Sequence, residues 1–223
     1  MMVNFEFLSE PLQLVDEAVN VLCVENQKFF RGIFNAFVNG ETEENRIIFS
    51  ENFEPVKIKG NVCVIDDFFR LTYSNTIIKK LYEQIEKYCN YELQKETTQL
   101  KIHIVNYFEQ LISAFDYDFE FNYDLSITEL LKAVSLKPNT DKSEVIGILL
   151  DYILLVNKYA PPKCFVLLNL HLYFDEEELD LFFKDIINNH IKLLLVENKK
   201  AFKTNKCEKV VIYDNDFCEI VEN

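Results

Sequence analysis

Tryptophan is absent from this chain, and glycine and proline are scarce. Among its 223 residues there are 4 Gly and 5 Pro, so few tight turns are expected to interrupt regular structure. None of the four glycines begins a Gly-x-x-x-x-Gly-Lys-Ser/Thr motif, in which backbone amides cradle the phosphates of a nucleotide. The scarcity of glycine therefore excludes a P-loop and predicts a chain made mostly of helices and strands.

Long apolar runs are also missing. The longest candidate, Ile148–Val156, is interrupted by Asp151, and it falls short of the roughly 18 uncharged residues that span a membrane. The first residues, Met-Met-Val-Asn-Phe-Glu, carry neither the basic stretch nor the apolar core of a secretion signal. We therefore expect a cytoplasmic protein that has no membrane partner.

The residues that most often carry nucleophilic or zinc chemistry are present without their motifs. The six cysteines form no Cys-x-x-Cys pair, and their spacing does not suit a Cys/His zinc site. Buried, reduced thiols are the expected state in a cytosolic protein. The three histidines, His103, His171 and His190, accompany no recognisable nucleophile motif. The sequence therefore predicts a protein that is not an enzyme.

Apolar and acidic side chains are abundant. The hydrophobic fraction is 49%, with 20 Phe and 11 Tyr, which is ample for a packed core. The formal net charge is -14, which argues against binding of nucleic acid or of an anionic membrane by the surface as a whole. A local basic face, or an interface completed by bound cations, is compatible with this charge.

Apolar residues recur with the period of strands at both ends of the chain and with the period of helices in the middle. Predicted strands lie at residues 3–8, 19–24, 46–50, 55–58, 61–65, 164–170, 191–196 and 209–213, and predicted helices lie at 27–38, within 75–115, at 127–136 and at 143–159. The polar run Gln94–Gln99 is expected to separate two long helices. Asp175 and Glu178 form a predicted capping box at the start of a further helix.

These elements indicate an α/β head formed by both ends of the chain, with a mostly helical insertion between them. We expect residues 1–70 and 161–223 to make the head and residues 71–160 to make the insertion, a helical leg. The buried strand Phe165–Asn169 resembles the metal-holding strand of NTPases, but it ends in Asn rather than Asp. The predicted fold is therefore α/β, with a P-loop-NTPase-like head that lacks a nucleotide site.

One segment concentrates more chemistry than any other. From Asp116 to Thr128 polar and apolar residues alternate without a break, and no Lys or Arg occurs between Lys101 and Lys132. A line of anionic oxygens with no internal counter-charge is what a hard cation such as Ca²⁺ binds. The polar members of the alternation are Asp116, Asp118, Glu120, Asn122, Asp124, Ser126 and Thr128.

The spacing in this segment is close to that of an EF-hand loop, but the match fails. From Asp118 to Glu129, oxygen-bearing side chains fall at relative positions 1, 3, 5, 7, 9 and 12. Position 6 is Tyr123, where the sharp turn of an EF-hand requires glycine. Spacing alone leaves two interpretations open, an amphipathic edge strand with a solvated acidic face or a site for one or more ions.

A metal-dependent nuclease is a further alternative. Asp66 and Asp67 end a predicted strand and, with the acidic segment, offer the carboxylates that a two-metal site needs. No Lys stands at a suitable offset from them to complete such a site. Nuclease activity is therefore the weaker hypothesis.

Basic residues occur as one cluster and as scattered positions. A solvated loop that aids solubility is the simpler interpretation of the cluster, which comprises Lys192, Lys199, Lys200, Lys203, Lys206 and Lys209. The scattered cations would line one surface if folding gathers them. They are Lys28, Arg31, Lys57, Lys59, Lys132 and Lys137.

Three short segments carry a resemblance to a known family. The opening Val3–Leu14, the helix Ile127–Lys132 after the acidic stretch and the late strand Leu193–Glu197 occur in the order expected for it, in a chain of matching length. The chain resembles the small accessory protein of type II-A CRISPR adaptation, which stands beside the effector nuclease and the two integration proteins.

The resemblance implies a homotetrameric ring that encircles double-stranded DNA, prefers its ends and supports spacer acquisition without catalysis. Its implied partners are double-stranded DNA, further copies of itself, and the CRISPR adaptation and effector proteins. It also implies Ca²⁺ as cofactor, bound at the junction of head and leg. A calcium-stabilised scaffold for protein partners is the alternative function.

The resemblance assigns residues to the calcium site, whereas the DNA-binding lysines are chosen from the scattered cations, because the resemblance implies only that lysines line the hole of the ring. The implied calcium ligands are Asp116, Asp118, Glu120, Asn122, Asp124 and Glu129. The expected DNA-binding lysines are Lys28, Lys57, Lys59, Lys132 and Lys137.

Overall fold

The structure is a computed structural model that describes residues 1–40, 47–139 and 144–222. Its strands are β1 (Met2–Phe5), β2 (Leu12–Gln13), β3 (Val19–Val24), β4 (Ile47–Glu51), β5 (Glu54–Val56), β6 (Val62–Ile65), β7 (Cys164–Leu168), β8 (Leu193–Glu197), β9 (Glu208–Tyr213) and β10 (Glu219–Glu222). Its helices are α1 (Gln27–Asn39), α2 (Asn75–Tyr91), α3 (Gln94–Ser113), α4 (Ile127–Ala133), α5 (Val145–Tyr159) and α6 (Glu176–Asn188), with a 3₁₀ turn at Leu170–Leu172. The chain forms two compact units, one of residues 1–72 with the described residues from 144 onward, the other of residues 73–139.

A six-stranded sheet with the order β10-β9-β3-β8-β7-β6 forms the centre of the first unit. The strands from β9 to β6 pair in parallel, and β10 pairs with β9 in the antiparallel direction. β3, β7 and β8 are buried along their whole length, as expected for parallel strands that are covered on both faces. Both α1 and α6 contact β3, and α5 packs against α6. This arrangement confirms the predicted α/β fold class.

A smaller antiparallel sheet with the order β2-β1-β4-β5 shares one hydrophobic core with the large sheet. Phe5 of β1 and Phe49 of β4 are fully buried in that core. They lie with Phe37 of α1 and with Leu22 and Leu168 of the large sheet. Alternation along β1 and β4 therefore places every second side chain inside, as the period of a half-buried strand requires.

The turn between β4 and β5 consists of two non-glycine residues in the left-handed region. Because Glu51 pairs with Glu54, the loop is only two residues long, and φ is 52° at Asn52 and 65° at Phe53. A type I′ hairpin turn needs positive φ at both positions and usually has glycine at the second. Phe53 occupies that second position, with its side chain 97% exposed.

The helix ends of the first unit follow local sequence signals. The Asp175 side chain accepts hydrogen bonds from the amides of Glu177 and Glu178, and Glu178 reaches back to the amide of Asp175. This confirms the predicted capping box of α6. A second signal lies at the C-terminal end of α1, where Gly40 takes the left-handed conformation, with φ of 73°, that ends many helices.

The second unit is helical, and α2 contacts both α3 and α4. The two long helices are found as predicted, but the predicted position of the break at Gln94–Gln99 is wrong, because α2 ends at Tyr91 and the polar run forms the first turns of α3. Gln, Lys and Glu are good helix formers, so polarity alone does not end a helix here. The buried Thr97 hydroxyl donates to the carbonyl of Cys89 at 3.0 Å and ties the two helices together. α5, which the sequence places in the insertion, belongs to the first unit.

Candidate functional site

The carboxyl end of β3 is the place where a P-loop protein would hold phosphate. Here the chain passes from Val24 through Glu25 and Asn26 into α1 without glycine. The Asn26 Oδ1 accepts hydrogen bonds from the amides of Lys28 at 3.1 Å and Phe29 at 3.3 Å. The amides that would cradle a phosphate therefore bond to the chain's own side chain.

The end of β7 is likewise engaged within the chain. Asn169 follows β7 with a left-handed backbone, φ 58°. Its Oδ1 accepts a hydrogen bond at 3.0 Å from the amide of Asn198, which follows β8. An Asp at this position in an NTPase would hold a metal ion, whereas Asn169 joins the ends of two strands. Neither position offers the groups that nucleotide chemistry needs.

The acidic segment between α3 and α4 is not the edge strand that its alternation suggested. Residues 114–126 belong to neither a strand nor a helix. The Asn122 Oδ1 accepts from the amide of Asp124 at 3.0 Å, which is a local turn. The rings of Phe121 and Tyr123 lie 4.3 Å apart, and the Phe121 ring is 5.8 Å from that of Phe108 on α3. Local turn bonds and aromatic contacts replace the ladder that a partner strand would supply.

The last acidic residue of the set, Glu129, is already used as a helix cap. Its Oε2 accepts from the amide of Ser126 at 3.0 Å and from the Ser126 hydroxyl at 2.9 Å. These hydrogen bonds lower the pKa of the Glu129 carboxyl. In return, the Ser126 Oγ accepts from the amide of Glu129 and completes a capping box at the start of α4.

The six expected calcium ligands do not converge in this chain. The side chains of the set are exposed, including those of Asp116, Asp118 and Glu120. Across the described ranges, with their gaps at 41–46 and 140–143, no three His, Cys, Asp or Glu side chains are grouped so that they could hold a metal ion. The residues present therefore do not form a coordination shell in a single chain, and calcium binding stays a prediction.

The five expected DNA-binding lysines are all exposed. Lys28 lies in the first turn of α1, and Lys57 and Lys59 lie between β5 and β6, so these three belong to the first unit. Lys132 in the last turn of α4 and Lys137 after it belong to the second unit. The structure thus gives each unit exposed lysines, and their role in DNA binding stays a prediction.

A buried charged cluster around His171 was missed by the sequence analysis. The His171 Nδ1 lies 2.9 Å from Glu197 Oε1, and its Nε2 lies 2.9 Å from Glu208 Oε1. The Phe202 ring stacks on the imidazole with 3.6 Å between centroids and 10° between planes. The sequence contains one signal for this cluster. Glu197 directly follows the apolar run Leu193–Val196, and an acidic residue in that position is buried with its strand.

Opposing effects act on the protonation of His171. Burial by itself lowers the pKa of His171, but the hydrogen bond with Glu197 and the charge attraction of Glu197 and Glu208 outweigh burial and raise that pKa to about 9. His171 is therefore a cation at neutral pH. It compensates the two buried carboxylates, which would otherwise be costly in the interior.

Two of the six cysteines are buried as expected, and their reduced state stays a prediction. All six are free thiols, and Cys23 and Cys164 are buried. Burial is the main cause that raises the pKa of each of these two thiols to about 12. Neither buried thiol is therefore ionised at neutral pH. In the described part of the chain, no helix is both long and apolar enough to cross a membrane.

Comparisons with known proteins identify the family of the chain. The family described as CRISPR-associated protein (Cas_Csn2) matches residues 40–217, and no curated protein matches the sequence. Among solved structures, the chain is similar to an ABC transporter ATP-binding protein from Pyrococcus furiosus, with a TM-score of 0.40 and 13% identity over 90% of this chain and 88% of that one. A likeness this weak carries no argument. Because the family match covers most of its length, this chain belongs to the CRISPR-associated protein (Cas_Csn2) family.

Proposed function

We propose that this protein acts in type II-A CRISPR spacer acquisition as a non-catalytic homotetrameric ring that binds the ends of double-stranded DNA and depends on calcium. The observation that carries the proposal is the family match over residues 40–217. That match supports a role in CRISPR adaptation, and therefore CRISPR-related partners. The ring, the DNA and the calcium are the proposed refinements of this role.

Exposed apolar side chains on α3 support self-association. The side chains of Leu100, Phe108 and Leu111 share one stripe of α3 and are 40% to 48% exposed, and Thr97 is the one residue of α3 that is buried within the described chain. Exposing these apolar side chains to water is unfavourable. We infer that a further copy of the chain packs against α3 and buries them.

The charge distribution supports DNA binding through a restricted surface. The net charge of -14 would repel DNA from most of the protein. Exposed lysines at Lys57, Lys59 and Lys137 would have to face one enclosed surface for phosphate contacts to prevail. A ring provides such a surface, because its inner face concentrates lysines from every copy.

The chain segments that follow β3 and β7 do not offer groups for binding a nucleotide. This supports the proposal that the protein acts without catalysis. Asn26 occupies the amides at the start of α1, and Asn169 bonds to Asn198 in place of holding a metal. An NTPase needs both positions free for phosphate and magnesium. The head therefore serves the proposed function as a scaffold.

Calcium dependence is proposed for the acidic segment of residues 116–129. Its support is the concentration of carboxylates in a segment that itself contains no Lys or Arg. Because these carboxylates do not converge in a single chain, bound calcium requires the segment to rearrange or a second copy to add ligands. In either case calcium should raise the thermal stability of the assembled protein by mass action.

A mobility-shift assay with three DNA forms tests the proposal. We expect linear duplex DNA to be bound in calcium and released in chelator, and closed circular DNA of the same sequence not to be bound. A linear duplex with both ends blocked by a bulky protein is the matched control for loading from ends. Equal binding of linear and closed circular DNA would contradict a ring, and undiminished binding in chelator would contradict the calcium role.

Two further readouts separate the alternatives. Light scattering should give the mass of four chains, and a monomer that retains DNA binding would overturn the tetramer. Incubation of DNA with the protein in Mg²⁺ or Mn²⁺ should leave the DNA intact, because cleavage products would indicate a nuclease. A protein that binds calcium but no DNA form would be the protein-interaction scaffold.

The calcium role can be assigned to residues with a matched pair of variants. In Asp118→Asn/Glu120→Gln/Asp124→Asn we expect calcium no longer to raise the melting temperature. The control Glu92→Gln/Glu96→Gln/Glu109→Gln removes three exposed carboxylates, one at the residue after α2 and two on α3, and it should keep the calcium response. A response that is lost equally in both variants would show a non-specific charge effect.

A further inference from the structure

A cavity of about 670 Å³ lies in the first unit, between α6 and the segment that leads into β9. Its lining residues differ from those discussed for DNA and calcium. It is also separate from the carboxyl end of β3, where a P-loop would be. Its apolar lining consists of Leu179 and of three aromatic residues, Phe174, Phe183 and Phe202.

The wall formed by Phe202 is fixed before any ligand binds. Phe202 stacks on His171, and the Lys200 ammonium lies 4.2 Å from the centroid of the Phe202 ring. The same ammonium donates to the Phe202 carbonyl and to the Thr204 hydroxyl, both at 2.8 Å, and lies 3.3 Å from the Glu222 carboxylate. A loop held by this many contacts presents a preformed surface, as small-molecule sites usually do.

One buried polar atom in the cavity lining lacks a hydrogen-bond donor. Glu208 lines the cavity and its side chain is fully buried. Its Oε2 accepts from the amide of Asn205 at 2.7 Å, but no described donor makes a hydrogen bond to its Oε1. The contact of Oε1 with His171 Nε2 at 2.9 Å is an ion pair outside hydrogen-bond geometry. A ligand hydroxyl or amine would supply the missing donor.

The rim of the cavity carries free positive charge in an otherwise acidic protein. Lys203 and Lys206 line the cavity, are exposed, and make no ion pair with a described residue. Lys184 also lines the cavity, but Asp180 neutralises it at 2.5 Å, and the exposed Glu176 is the remaining carboxylate of the rim. Two unpaired ammonium groups beside an aromatic pocket attract an anionic group on a ligand.

We propose that this cavity binds a small aromatic anion that also carries a hydrogen-bond donor, and that a nucleoside monophosphate is the class it takes. The ring would lie against the half-buried Phe174 and Phe202. A hydroxyl or amino group would donate to Glu208 Oε1, and the phosphate would lie between Lys203 and Lys206. This site is independent of the proposed binding of duplex DNA.

Calorimetric titration with AMP, adenosine and inorganic phosphate tests the site on the full chain. AMP contains the ring, the donor and the anion, adenosine lacks the anion, and phosphate lacks the ring. We expect saturable AMP binding, with adenosine and phosphate each weaker by at least about tenfold. Absence of AMP binding would overturn the proposal, and phosphate binding as tight as that of AMP would reduce it to anion attraction by surface lysines.

Two variants with a matched control assign the roles of the residues. Lys203→Gln/Lys206→Gln should weaken AMP at least about tenfold and leave adenosine unchanged. Lys79→Gln/Lys87→Gln removes two exposed lysines from α2 and should leave the binding of both ligands unchanged. Phe174→Ala, at a half-buried position, should weaken AMP and adenosine by the same factor. Equal loss of AMP binding in both lysine variants would contradict a localised site.

Discussion

Glu86 on α2 accepts a hydrogen bond at 3.1 Å from the backbone amide of Ile127, the first residue of α4. Its second oxygen accepts at 2.9 Å from the Thr128 hydroxyl. The capping box of Ser126 and Glu129 satisfies further groups of the same helix end. The C-terminal end of the acidic segment is therefore bound to α2. The Glu86 carboxylate lies at the N-terminus of α4, where a negative charge is favourable.

Removal of this charge should loosen the second unit. We expect Glu86→Ala to lower the free energy of unfolding by about 1–2 kcal/mol, because the amide of Ile127 loses its acceptor. Chemical denaturation followed by circular dichroism measures the change. Glu83→Ala on the same helix is the control, because its contact with Lys79 is an exposed pair at 4.0 Å worth under about 0.5 kcal/mol. Equal losses in both variants would contradict the cap.

The cluster of His171, Glu197 and Glu208 should make stability depend on pH. The pKa of His171 is raised to about 9 in the folded chain against 6.5 for an ordinary histidine, so the folded state holds this proton more tightly. The resulting stabilisation is fully present below pH 6.5 and is lost as pH rises to about 9. Denaturation at pH values across this range should show a decline of up to about 3 kcal/mol.

A histidine variant isolates this contribution. His171→Gln should unfold more easily near neutral pH, by about 3–5 kcal/mol, because it leaves two buried carboxylates without a cation. It should also lose the decline in stability between pH 6.5 and 9 that His171 causes. The exposed His190, whose Nδ1 is 4.0 Å from Asp16, provides the control His190→Gln, which should keep the wild-type pH profile. A variant at 171 that keeps this profile would contradict the assignment.

The exposed lysines should determine how DNA binding responds to salt. Two double variants test this, Lys57→Gln/Lys59→Gln and Lys132→Gln/Lys137→Gln. Each should weaken the binding of every DNA sequence by the same factor. Each should also reduce the salt slope, which is the change of log affinity with log salt concentration, by about one for each phosphate that the variant no longer neutralises. Binding measured by fluorescence anisotropy over a range of salt concentrations gives this slope. Lys79→Gln/Lys87→Gln on α2 removes the same charge and should leave the slope unchanged. An unaltered slope in both test variants would remove these lysines from the DNA interface.

The hairpin turn at Asn52 and Phe53 should become more stable with glycine. The left-handed backbone at position 53 costs a residue with a side chain about 1–2 kcal/mol, and Phe53→Gly removes this strain. Part of the gain is lost because glycine loses more conformational entropy on folding. We expect a net increase in stability of up to about 1 kcal/mol, measured by thermal and chemical denaturation. Phe53→Ala keeps the strained backbone and removes only the exposed ring, so it should gain nothing. A gain in Phe53→Ala equal to that in Phe53→Gly would contradict backbone strain.

The central strands were the easiest part of the fold to predict. β3 is found at the predicted residues, Val19–Val24, and β7 begins at the predicted Cys164. β7 is a continuous apolar run, and β3 is one apart from Asn20, because both faces of these strands are buried, so composition identifies them. The Asp175 cap of α6 was equally visible, since it depends on neighbours three residues apart.

Other features depended on contacts that the sequence does not display. β2 and β10 were missed because they are short edge strands that are partly or largely exposed. The alternation from Asp116 to Thr128 suggested a strand, but period alone does not supply a partner to bond with. The charge cluster of His171 joins residues 26 and 37 positions apart in the chain, so only folding brings it together.

The position of β3 in the large sheet has a consequence for biosynthesis. β3 is made early, yet both of its neighbours, β8 and β9, come from the last part of the chain. The Asn20 side chain even donates to the carbonyl of Leu193, 173 positions later. At roughly 5–20 residues per second of translation, both edges of β3 wait many seconds for their partners. The helical unit is complete on the ribosome before the sheet can close, so a nascent chain stalled before β8 presents an open, aggregation-prone strand to chaperones.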